Sequence, residues 1–241
     1  MVKTEAQPPA ADSEDTGNLR ARALEAALEI AEERGWQRVR MRDVAELVGV
    51  PHARILDAYR DLDAVADAWF LRGWKGMLAP KAPGFNALPA QQRIETCMLG
   101  WFDALAPHRE VTVQMLRGKA HLPHPHHWVP MIFNLSRTIQ WLREAANLQA
   151  PYGTRRAEME EVGLTWLFVA TLWVWSRDQS LGQQRTRRFL RRRLSEADNA
   201  MTQIWGPGHP PEAPIPPPSE PPLGNTEGEP DGETVPEVDR G

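Results

Sequence analysis

The segment 36–60, WQRVRMRDVAELVGVPHARILDAYR, constrains the fold more than any other part of this sequence. Two short helices that cross at a steep angle through a tight turn need a small residue at the crossing and a glycine in the turn. Ala45 fits the crossing, Gly49 fits the turn, and Ile55 fits the buried side of the second helix. This spacing predicts a helix-turn-helix, and a plain helical hairpin that ends in glycine is the alternative.

Helical periodicity continues through most of the chain, because apolar residues recur three or four positions apart. We expect a first helix over 19–34, with Asn18 as its N-cap and Gly35 at its end. Asp61 can cap a later helix, and the composition of 79–89 is that of a linker. No run alternates with period 2 for long enough to form a strand, so the predicted fold class is all-α. The other predicted helices are 42–48, 51–59, 62–78, 109–118, 156–178 and 184–205, with apolar stripes over 94–105 and 132–146.

Charge and composition divide the 241 residues into four segments. The net charge of −4 combines acidic ends, at −3 and −7, with a basic middle at +6. The ends contain too few apolar residues to offset the entropy lost on folding, so we expect them to be disordered. The predicted segments are a disordered acidic N-terminus (1–17), a helix-turn-helix domain (18–79), a second helical domain (80–205) and a disordered, proline-rich acidic tail (206–241).

The sequence offers little support for several functional classes. Cys97 is the only cysteine, which excludes an intramolecular disulfide and suits a reducing compartment. No apolar run approaches the roughly 20 residues that span a bilayer, and no nucleophile, phosphate-loop or paired-carboxylate motif appears. We therefore expect a cytoplasmic protein that is not an enzyme and needs no cofactor or metal. We interpret a cluster of four histidines as part of a connecting loop rather than as a metal site: His121, His124, His126 and His127.

The order of helix, helix-turn-helix and capped helix resembles the N-terminal domain of the TetR family of transcriptional regulators. The segments ALEAALEIAEERGW, DVAELVGV and ILDAYRDLDAVADAWF carry this resemblance over 19–78. It implies a three-helix DNA-binding domain joined to a C-terminal helical bundle, a homodimer that binds double-stranded DNA, and a small effector in the bundle. It also suggests that Arg20 and Arg22 reach the DNA backbone. The predicted DNA contacts are Arg40, Arg42, Pro51, His52, Ala53, Arg54, Leu56 and Tyr59.

Aromatic and methionine side chains of the C-terminal domain predict an apolar effector pocket, since ligand pockets between helices are lined by such residues. Core packing and a dimer interface are alternative explanations for the same side chains. The predicted pocket residues are Met98, Trp101, Met115, Phe133, Trp166 and Trp173.

A second resemblance concerns the C-terminal half, which contains the patterns W-x-x-D-x-S and F-L-x-x-R. These are similar to the lipid-binding accessory proteins of ubiquinone biosynthesis, which share the TetR-like fold without regulating transcription. Two features favour this alternative: Leu56 and Leu62 replace the tyrosine and lysine usual in TetR regulators, and residues 18–79 have no net charge. The first hypothesis remains a TetR-like repressor that an apolar effector releases from DNA. The residues of the two patterns are Trp175, Asp178, Ser180, Phe189, Leu190 and Arg193.

Overall fold

The computed structural model describes the backbone of residues 10–119 and 125–206, with the side chains of 15–118, 134–204 and 206. Every regular element in these ranges is helical, which confirms the all-α prediction. The α-helices are α1 (Ala10–Arg34), α2 (Met41–Val48), α3 (His52–Ala58), α4 (Leu62–Leu78), α5 (Ala90–Leu105), α6 (Arg109–Lys119), α7 (Pro125–Ala145), α8 (Arg155–Trp175) and α9 (Gln184–Trp205). Short 3-10 helices lie at Trp36–Arg38, Phe85–Ala87, Ala106–His108 and Leu181–Gln183.

The first helix begins well before its predicted start. Because α1 starts at Ala10, Asn18 lies inside the helix and is not its N-cap, so that expectation is wrong. Residues 10–17, placed in the disordered N-terminus by sequence, are helical. Three acidic residues in this segment explain the extension, since negative charge is favourable near the N-terminus of a helix. The predictions of disorder for 1–9 and 207–241 lie outside the described residues.

Glycine and polar caps set several helix ends. Gly35 has φ 85°, which favours glycine, and α1 ends just before it, as predicted. Asp61 accepts a 2.7 Å hydrogen bond from the backbone N–H of Ala64, which confirms the predicted cap of α4. Thr154 caps α8 in the same way through the N–H of Ala157, at 3.2 Å, and sequence analysis had not singled it out.

The helix α7 begins inside the segment that was expected to be a loop. His126 and His127 belong to its first turn, so the loop interpretation is wrong for them. The physical reason is Pro125, because proline fits the first position of a helix, where no backbone N–H is needed. His121 and His124 lie outside the described residues.

A close contact between α4 and α5 joins the helix-turn-helix region to the rest of the fold. A Cβ atom on Gly76 would overlap the carbonyl oxygen of Gly100, and a Cβ on Gly73 would overlap the indole ring of Trp101. These two helices therefore approach as closely as they do only because the glycines have no side chains.

The buried apolar residues form one continuous core from Leu19 in α1 to Leu194 in α9. An aromatic group lies where α5 meets α8, with ring centroids of Trp101 and Phe168 5.1 Å apart and those of Phe102 and Trp175 5.5 Å apart. Such aromatic pairs add to the stabilisation that comes from burying the rings.

The turn between α8 and α9 is built on Asp178, the acidic residue of the W-x-x-D-x-S pattern. Its buried carboxylate accepts hydrogen bonds from the backbone N–H and hydroxyl of Ser180 and of Thr186, at 2.5–2.9 Å. Burial raises the pKa of Asp178, but these hydrogen bonds outweigh it and lower the pKa to about 2. In this chain the pattern therefore fixes the first turn of α9.

Candidate nucleic-acid interface

The residues of segment 36–60 fold into two helices joined by a tight turn. Gly49 has φ 75° and ψ 37°, a left-handed conformation, and its N–H donates to the carbonyl of Ala45 at 2.9 Å. Ala45 and Ile55 are buried, at 2% and 1% exposure, so α2 and α3 meet through apolar side chains. The helix-turn-helix predicted from the spacing is present.

Two arginines of α1 hold α2 and α3 in place. Arg20 donates through Nε to the carbonyl of Ala58, the last residue of α3, at 3.0 Å. Arg22 donates to the carbonyl of Val48, the last residue of α2. A cation at the C-terminal end of a helix satisfies free carbonyls and complements the helix dipole. Arg20 and Arg22, suggested by sequence as contacts to the DNA backbone, thus bind the protein's own backbone here.

Tyr59 faces the protein interior rather than the surface. It is 9% exposed, and its hydroxyl donates to the carbonyl of Arg20 at 3.2 Å. Burial raises the pKa of Tyr59. This residue, predicted to contact DNA, therefore fastens α3 to α1 in this structure.

The other predicted DNA contacts are all exposed to solvent. On α3, the buried Ile55 and Ala58 face the core, and Leu56 is 67% exposed. Arg40 and Arg42, next to and within α2, form no ion pair with another side chain in the part of the chain that the structure describes. The exposed predicted contacts are Arg40, Arg42, Pro51, His52, Ala53, Arg54 and Leu56.

Arg54 is bracketed by two carboxylates. Its Nη1 lies 3.0 Å from Asp57, one turn along α3, and its Nη2 lies 2.9 Å from Asp15 on α1. The spacing of three residues could have indicated the pair with Asp57 from the sequence. The contact with Asp15 spans 39 positions, and no local pattern indicates it.

The residues predicted to line an effector pocket do not come together. Met98, Trp101 and Met115 are buried in the packed core, whereas Trp166 and Trp173 are 72% and 58% exposed on α8. Phe133 lies outside the described side chains.

One cavity, of about 660 Å³, lies elsewhere, between the end of α1, the start of α6 and the turn after α8. Its lining is polar and includes Glu32, His108, Arg109 and Arg177. The Nδ1 atom of His108 lies 2.6 Å from the carboxylate of Glu32, which links α1 to the C-terminal helices.

The exposed side of α8 carries a continuous apolar stripe. Its members repeat at spacings of three and four residues, which places them on one face of the helix. The opposite face, with Leu164 and Phe168, packs into the core. Contiguous exposed apolar surface is typical of sites where another molecule binds. The α8 stripe consists of Met159, Val162, Trp166, Val169 and Trp173.

Comparison with solved structures identifies the family. The chain is 36% identical to a TetR transcriptional regulator from Nitrosomonas europaea ATCC 19718, over 75% of this chain and 98% of that chain, with a TM-score of 0.66. The chain belongs to the TetR family of transcriptional regulators. A TetR transcriptional regulator from Rhodococcus sp. RHA1 has the same fold, with 18% identity over 75% of this chain and 96% of that chain and a TM-score of 0.52.

Other comparisons add no further assignment. No protein-family model matches the chain, and the search of curated proteins gave no significant match. Within the described ranges, none of the helices of this TetR-family chain combines the length and the apolar character needed to cross a membrane.

Proposed function

We propose that this TetR-family chain is a homodimeric repressor that reads DNA with α3 and leaves it when an apolar effector binds. One observation carries the DNA-binding part: α3 buries Ile55 and Ala58 and turns His52, Ala53 and Arg54 outward. A helix that packs on the protein with one side and exposes the other is what insertion into a major groove requires.

The exposed side chains suit the chemistry of a DNA groove. The guanidinium of Arg54 can donate two hydrogen bonds to O6 and N7 of a guanine, and Leu56 can contact the methyl group of a thymine. Arg40 and Arg42 are free to approach phosphates, which position a protein on the duplex without reading its sequence.

The α8 stripe supports the homodimer. Met159, Trp166 and Trp173 are seven residues apart, and so are Val162 and Val169, a repeat typical of helices that pair along their length. A second copy would cover this surface through a two-fold axis. Such a dimer can present its two α3 helices to successive major grooves about 34 Å apart.

Release by an effector would operate through α4. This helix follows the helix-turn-helix and is packed against α5 at Gly76 and Gly100. An effector that favours a different arrangement of the C-terminal helices would shift α4 and change the spacing of the two reading helices.

The test is selection of genomic fragments by the purified protein at two salt concentrations. We expect an enriched palindrome, with affinity that falls steeply as salt rises.

Arg54→Ala should weaken binding to that site by about 1–3 kcal/mol. The matched control is Arg185→Ala, an exposed arginine on α9 that should leave binding unchanged. Selection without any enriched site at low salt would rule out the proposed function.

A lipid-binding accessory role is the second candidate, and the exposed Trp166 and Trp173 favour it. In that case the stripe would meet a lipid surface instead of a second copy. Mass spectrometry of the purified protein would then detect a bound lipid, and Arg54→Ala would change no DNA binding.

A further inference from the structure

Asp15 connects the start of α1 to the reading helix. Its carboxylate lies 2.9 Å from Nη2 of Arg54, and both side chains are more than half exposed. Asp57 occupies Nη1 of the same guanidinium at 3.0 Å. Two negative charges therefore surround the one arginine that the proposed function assigns to base recognition.

The acidic residues around this contact weaken the electrostatic attraction between Arg54 and DNA. Residues 10–19 contain three acidic residues and no lysine or arginine. Arg20 and Arg22 follow, but their hydrogen bonds to the carbonyls of Ala58 and Val48 hold them at the C-terminal ends of α3 and α2. Arg54 forms, with Asp15 and Asp57, a group of one positive and two negative charges, so DNA is attracted to it less than to an unpaired arginine.

We propose that Asp15 competes with DNA for the guanidinium of Arg54. This contact holds Arg54 away from the operator and lowers the affinity of the protein for that site. This inference rests on the proposed function. To read a guanine, the guanidinium of Arg54 must leave Asp15, so the contact raises the free energy of the specific complex relative to the free protein. A single carboxylate beside the arginine would position it for guanine, but two carboxylates leave a net negative charge.

The test compares Asp15→Asn with Glu29→Gln on a duplex that carries the selected site and on a random-sequence duplex of equal length. Both substitutions remove one negative charge from an exposed position of α1, and Glu29 lies about 21 Å further along the helix. Asp15→Asn should tighten binding to the selected site about two- to fivefold, as expected for the loss of an exposed ion pair. Glu29→Gln should have a smaller effect.

A double-mutant cycle with Arg54→Gln isolates the contact. In the Arg54→Gln background, Asp15→Asn should tighten binding less than it does when Arg54 is present. Weaker or unchanged binding of Asp15→Asn, or an equal gain without Arg54, would overturn the inference alone, since wild-type protein would still prefer its site. If the wild-type protein shows no preference for any site, the proposed function and this inference fail together.

Discussion

Asp178 shows how a buried charge can set the course of a chain. Its four hydrogen bonds end on groups of Ser180 and Thr186, so the carboxylate fixes both the turn after α8 and the start of α9. Trp175 adds a 2.6 Å hydrogen bond from its indole N–H to Gln183 in the same turn. Buried carboxylates are tolerated only when fully hydrogen-bonded, and this one is.

Asp178→Asn should destabilise the protein by about 2 kcal/mol near neutral pH, because an amide replaces acceptors with donors. The pKa of Asp178 is lowered to about 2 from the ordinary 3.8, so its stabilising effect is present above about pH 4 and is lost as the pH falls towards 2. Urea unfolding of both proteins at pH 7 and pH 3 tests this. A difference in unfolding free energy that does not shrink at pH 3 would contradict the assignment.

At the scale of elements, the contact of α4 with α5 depends on glycine. Gly76→Ala should lower the free energy of unfolding by about 1–3 kcal/mol, since the new Cβ overlaps the carbonyl of Gly100 and the helices must separate. Gly17→Ala is the control, because that glycine is also helical but has open space around it. This control should stabilise α1 by up to about 1 kcal/mol. Equal effects of the two substitutions in thermal unfolding would show that the contact is unimportant.

The elements that sequence located well are those with local signals. The turn at Gly49 and the cap at Asp61 each depend on residues within four positions, so spacing alone indicates them. The start of α1 was missed because charge in residues 10–17 extends the helix beyond its apolar stripe. The orientation of α8 was not predictable, since bulky apolar residues occur on all of its sides and only tertiary packing selects the buried one.

In the candidate site, too, some features could be predicted from the sequence and others could not. Exposure of Arg54 and Leu56 beside the buried Ile55 follows from helical periodicity. The burial of Tyr59 and the contact of Asp15 with Arg54 could not be predicted, because each joins α1 to residues almost forty positions away. The residues predicted to line an effector pocket do not come together for a related reason: methionine and tryptophan line cores, pockets and interfaces alike, and composition does not distinguish them.

At the scale of the whole molecule, the α8 stripe predicts the assembly. Wild-type protein should be a dimer in sedimentation velocity, and Trp166→Glu should give a folded monomer, because a charge would be buried in the interface. Leu181→Glu is the control, since Leu181 is 91% exposed and lies outside the stripe. A monomeric wild type, or a Trp166→Glu protein that remains dimeric with unchanged affinity, would exclude this interface.

The arginine contacts of α1 have a consequence for protein engineering. Helices of seven and eight residues are too short to be stable alone, and here the cations that cap both of them come from a third helix. If α2 and α3 read DNA as proposed, a graft of this unit onto a related scaffold would therefore need Arg20 and Arg22 as well. Grafts limited to residues 41–58 should be inactive unless the recipient supplies equivalent side chains.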